Sequence, residues 1–110
     1  MDRHQYKARA ARAIFKRMRV ENGQGEPVLV TYQEPGRPPV AGLEFIKQLD
    51  VERVGQDGML IVDQIQISVL AECLPRVSRE GVFTAGADRW RVFEPLRADG
   101  VIVTAAVRPA

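Results

Sequence analysis

Beyond Pro27 the chain is broken repeatedly by turn-forming residues, and the segments between them alternate or cluster β-branched and aromatic side chains. The breaks are Pro35-Gly36, Asp57-Gly58, Gly81, Gly86 and Asp99-Gly100. Asp-Gly and Pro-Gly supply the backbone angles that tight turns require. The first strand is expected at Val28 to Tyr32, with Val28, Val30 and Tyr32 on one face. A second is expected at Val40 to Lys47, where Ala41, Leu43 and Phe45 share a face. From Met59 to Leu70 the alternation is clearest: Ile61, Ile65, Ile67 and Val69 point one way, Gln64, Gln66 and Ser68 the other, and Asp63 interrupts the apolar set. Further strands are expected at Val82 to Thr84, Arg89 to Phe93 and Val101 to Val107. This rhythm predicts a mostly β fold, a small antiparallel β-barrel or sandwich, over residues 27–110. The expected core is Val30, Tyr32, Leu43, Phe45, Ile65, Ile67, Val69, Trp90, Val92, Val101 and Val103.

Residues 1–26 differ in kind. The first 19 hold seven basic side chains, Arg3, Lys7, Arg9, Arg12, Lys16, Arg17 and Arg19, against the single acid Asp2, a charge of +6. The other 91 residues hold nine basic and thirteen acidic side chains, a charge of −4. The overall basicity therefore belongs to the arm and not to the body. Tyr6, Ala10, Ala13, Ile14 and Met18 recur at spacings of three and four, which predicts one N-terminal helix with a thin apolar stripe. Glu21 to Pro27, with Gly23 and Gly25, reads as a linker. The basic residues of the arm are candidates for contact with DNA or with an acidic partner.

Catalysis finds little support. His4 is the only histidine and lies in the arm, where a solvated side chain is its ordinary state. The acids Asp57, Asp63, Asp88 and Asp99 are scattered, and two of them precede glycine in turns, so no metal site is expected. Gly23-x-Gly25 has neither the preceding strand nor the third glycine of a dinucleotide fingerprint, and no cofactor is expected. Cys73 cannot form an internal disulfide and is expected to be a small buried hydrophobe. No run of about 18 apolar residues suits a membrane span, and the first residues lack the apolar core of a secretory signal. Tyr32, Phe45, Phe83, Trp90 and Phe93 stand singly at core-like positions in a net-acidic region, which argues against a nucleic-acid stacking platform.

The order of these features resembles the lambda-type head–tail joining (stopper) proteins of tailed bacteriophages. The matching elements are an opening strand at "VLVTY" (28–32), a small-residue strand at "PVAGLEF" (39–45) and a central strand ending in "VLAECLP" (69–75). They close with the turn "TAGADRWRV" (84–92) and the last hairpin "EPLRADGVIVTAAVRP" (94–109). The family commonly has Gly-Asp after the "LP" turn, whereas this chain has Glu80-Gly81 without that Asp. The resemblance implies a non-enzymatic β-barrel subunit of the virion, made in the bacterial cytoplasm and placed at the head–tail junction. Its implied partners are a portal-side adaptor and a tail-terminator or tail-tube protein, with a homo-oligomeric ring on assembly, a monomer or loose oligomer when free, and non-specific contact with packaged DNA. It also implies segments that order on assembly. The charged, weakly patterned stretch from Gln48 to Gly58 fits that part, with Gln48, Asp50, Glu52, Arg53, Gln56 and Asp57 as an assembly loop. The alternatives are another small β-barrel tail component, such as a tail terminator, and an oligonucleotide-binding module.

Overall fold

The computed structural model describes residues 9, 12, 13, 17–21 and 23–110. Seven strands follow one another: β1 (Leu29–Gln33), β2 (Val40–Glu44), β3 (Ile46–Val54), β4 (Leu60–Leu70), β5 (Val82–Ala85), β6 (Asp88–Ala98) and β7 (Ile102–Pro109). They make one antiparallel sheet in the order β2-β1-β5-β6-β7-β4-β3. The two edge strands are consecutive in the chain, separated only by Phe45. One run of backbone thus pairs with β1 on one side and with β4 on the other. The sheet must curl to satisfy both pairings, and β2 comes close to β4. The expected closed barrel is not formed, because β2 and β3 end the ladder without bonding to each other. A sandwich of two sheets is not formed either.

Local chemistry accounts for the turns. Between β1 and β2, Arg37 N–H donates to the Glu34 carbonyl (3.3 Å), with Pro35 and Gly36 (φ 80°) in the two central positions. That pairing suits a type II turn, whose third residue needs a positive φ. Between β6 and β7, the Asp99 Oδ1 accepts the backbone N–H groups of Val101 and Ile102, each at 2.9 Å. Those two bonds, with Arg97 adding its own, hold the Asp99 carboxyl at about 2. Pro95 sits in β6 beyond Arg91, the last residue paired with β5, so its missing N–H costs no ladder bond on that side.

The core fills the inside of the curl. Val30, Tyr32, Leu43, Phe45, Ile67, Val69, Phe83, Trp90, Val92 and Val103 are buried together, joined by Leu74 and Val77 from the β4–β5 loop. Tyr32 packs on Phe83 with centroids 4.9 Å apart, and Phe45 on Trp90 at 6.0 Å. Of the residues expected inside, Ile65 and Val101 are only half-buried: Ile65 is where β4 leaves the sheet, and Val101 lies in the turn before β7. Ala41 is exposed, because the β1–β2 register shifts between Val30 and Tyr32 and Gly42 takes a φ of 74°. The irregularity brings Val40 against the core instead. Cys73 is exposed at the end of β4, not buried.

The stretch before β1 is not a free linker. Val20 N–H donates to the Phe45 carbonyl (2.8 Å), Val28 N–H donates to the Val20 carbonyl (2.9 Å), and Glu21 bridges to Pro27. Val20 packs against the core at the junction where β2 becomes β3. The body therefore begins several residues earlier than Pro27. The N-terminal helix expected over 1–19 lies for the most part outside the described residues, and no helix enters the element order.

Two substitutions test this packing. Trp90→Ala is expected to cost about 3–5 kcal/mol, measured by urea denaturation. Gly81→Ala is expected to cost about 1–3 kcal/mol, because an added Cβ would overlap the buried Tyr32 ring.

Candidate docking surfaces

The stretch from Gln48 to Gly58, expected to be a loop, is instead most of β3 and its turn into β4. Lys47 to Val54 pairs residue by residue with Leu60 to Ile67, interrupted only near Asp50, whose φ is 53°. The turn is closed by Gly55 N–H to the Met59 carbonyl (2.8 Å) and by Met59 N–H to Asp57 Oδ1 (3.0 Å). β4 pairs with β7 only from Ile65 onward, so residues 49–64 form a two-stranded ribbon beyond the seven-stranded body. Leu49, Val54, Met59, Leu60 and Val62 are each between 53% and 69% exposed. A concentration of apolar side chains like this marks an interaction surface more often than a chance exposure. The sequence hid it because the intervening charges mask the apolar positions.

A polar cluster ties the ribbon to the body. Arg53 Nε donates to Asp63 Oδ2 (2.5 Å), and Arg53 Nη2 donates to Glu94 Oε2 on β6 (2.6 Å). Gln66 Nε2 adds a third bond to Asp63 (3.0 Å). Gln66 and Glu94 both pair with Ala106, so the cluster lies across three adjacent strands. Gln66 and Ala106 are buried there, outside the apolar core cluster. Burial pushes the Asp63 carboxyl upward, but the Arg53 and Gln66 bonds and the nearby Arg53 and Arg108 charges outweigh it and hold the group below its ordinary 3.8. The irregular Asp63 of the alternating pattern is therefore the buried counter-ion of Arg53.

A second surface is basic. Arg91 and Arg108 are direct cross-strand partners on β6 and β7, and Arg79 and Glu80 flank them in a groove of about 600 Å³. The Arg108 guanidinium lies 3.7 Å from the centroid of Phe93. Phe93, expected at a core-like position, is 42% exposed, because Trp90 and Val92 take the inward positions of β6. Among the described residues, Arg79 and Arg91 form no ion pair, while the Arg108 charge acts on Asp63.

The remaining candidates divide. Arg3, Lys7 and Lys16 lie outside the described residues, while Arg9 and Arg17 are exposed. Arg12 approaches Glu72 at 3.8 Å. Arg19 is withdrawn from any partner, since it donates to Glu44 at 2.6 Å beside the β2–β3 junction. In the ribbon, Gln48, Asp50, Glu52, Gln56 and Asp57 are exposed and Arg53 is half-buried. Desolvation, reinforced by the charges of Glu72 and Glu44, raises the Cys73 thiol, the opposite of what a thiolate nucleophile needs. No group of three or more His, Cys, Asp or Glu among the described residues is placed to hold a metal ion. No helix among them is long and apolar enough to cross a membrane.

No family model matches the chain, and no curated protein matches it closely enough to count as a relative.

Asp63 gives the ribbon an acid sensitivity of known sign. Its carboxyl is depressed in the folded state, so its contribution is present above the ordinary value of 3.8 and is lost as pH falls below it. Asp63→Asn should lower the urea midpoint at neutral pH, and the gap to wild type should narrow in acid below 3.8. Arg53→Met, which strands a buried carboxylate, should cost about 3–5 kcal/mol at neutral pH. Adding Asp63→Leu should recover much of that loss.

Proposed function

We propose that this chain is a structural subunit of a tailed bacteriophage, joining the DNA-filled head to the tail at the head–tail junction and helping to close the channel there. The observation that carries the reading is the ribbon. A small antiparallel domain presents a row of exposed apolar side chains on a rigidly anchored hairpin, an arrangement suited to docking and not to turnover. The reading also draws on the resemblance of the sequence over residues 27–109 to the joining proteins. Its partners on this reading are a portal-side adaptor and a tail-terminator or tail-tube protein. The exposed arm residues Arg9 and Arg17 would add salt-sensitive contact with packaged DNA.

The test is genetic and visual. Inactivating this gene in its phage should leave DNA-filled heads and separate tails in the lysate, seen by electron microscopy, and adding the purified protein should join them. Intact infectious particles without the protein would remove the reading.

A further inference from the structure

We propose that the outward face of the β3–β4 ribbon docks on the Arg91–Arg108–Phe93 surface of a second copy of this chain, in a head-to-tail contact. The register defines the first half of the contact. Val54 stands opposite Leu60 and Glu52 opposite Val62, so these four side chains share one face of the ribbon. Asp50 and Glu52 have no ion-pair partner among the described residues, and Asp57 is spent only on the turn. The ribbon therefore offers an apolar strip edged with unneutralised negative charge.

The other half has the opposite character. Arg91 and Arg108 are directly opposed across the β6–β7 ladder, with Val82 the next partner of Arg91. Like charges in that position destabilise a sheet unless something neutralises them. Phe93 gives the surface an exposed apolar centre. A net-acidic body thus concentrates the positive charge of Arg79, Arg91 and Arg108 beside one exposed ring, with only Arg108 coupled to an acid, Asp63, and acidic apolar surface on the ribbon.

The occupant follows from that complementarity. A single-stranded nucleic acid would need an open aromatic face for base stacking. Here the Arg108 guanidinium already covers a face of Phe93 at 3.7 Å. The ribbon of the same molecule does not fill the groove, since Val54, Leu60 and Val62 stay exposed. A second copy supplies the acidic, apolar counterpart. Because the two surfaces differ, the contact is heterologous and builds a ring wherever its rotation closes. Its biological meaning rests on the joining-protein reading, but its test needs no phage component.

Leu60→Thr with Val62→Thr disables the ribbon by removing its apolar strip, and Arg79→Glu with Arg91→Glu disables the basic surface. Leu60, Val62, Arg79 and Arg91 are exposed and lie outside the Asp63 cluster, so both variants should keep the wild-type circular dichroism. Light scattering on the nuclease-treated full chain at ~100 µM should show wild-type oligomers, with each variant dissociating at least about tenfold more readily. Mixing the two variants should give one-to-one pairs, because each mixture retains one intact ribbon and one intact basic surface. A wild type that stays monomeric overturns the docking, whatever the particle experiment shows. So does an oligomer that survives in either variant, a mixture that forms no pairs, or an oligomer that forms only when nucleic acid is left in place.

Discussion

Both edges of the sheet are made by one continuous run of backbone that turns at Phe45, and most of the architecture depends on that constraint. With β2 held to β1 and β3 held to β4, the five strands between them must wrap around a common interior. Phe45 sits at the turning point, buried against Trp90. Val20 binds the Phe45 carbonyl there, and the Arg19–Glu44 pair lies beside it. The seam where a closed barrel would have bonded edge to edge is thus sealed by side chains and by the incoming chain. That arrangement leaves the outer edge of β3 unpaired, the condition that natural sheets usually blunt.

The polar groups inside the structure have the same economy. Tyr32 is buried along its ring, yet its hydroxyl accepts the Ser78 N–H at 2.9 Å, which fixes the β4–β5 loop over the core. Arg53 fixes the ribbon in the same manner, by spanning from β3 to Asp63 and Glu94. A two-stranded ribbon is marginal by itself in water. Tying it to the body near its turn through the part-buried Arg53–Asp63–Glu94 cluster gives it a defined direction while Val54, Leu60 and Val62 stay exposed. A ribbon already held in place lowers the ordering cost that a partner must meet on binding. The proposed joining role uses that property, since a subunit that displays its docking element in advance can be captured quickly by the correct neighbour.

Much of the body could be read from the residues. Turn pairs such as Pro35-Gly36 and Asp99-Gly100 act locally, through backbone angles that few other residues adopt, so strand boundaries near them were legible. Val30, Tyr32, Ile67, Val69, Trp90 and Val92 were readable as inward positions because alternation is a property of the strand itself. Gln48 to Gly58 was not legible as a strand. Its side chains are mixed on both faces, since the ribbon is not half-buried and alternation arises only from one-sided burial. Phe93 was misplaced for a related reason: aromatic character suggests burial, but the register of β6 gave the inward positions to its neighbours.

Legible in the residues alone are the order of turns, the β character of the body and the facing of the strands that border the core. These are consequences of local sterics and of short-range periodicity. Long-range packing sets the rest: the sheet stops short of closure, Arg19 is spent on Glu44 and Arg53 on Asp63 and Glu94, and Arg91 meets Arg108 across a ladder. Each of these joins residues far apart along the chain or on different strands. Such contacts are set by how a curled sheet brings its strands together, which no local pattern of side chains encodes.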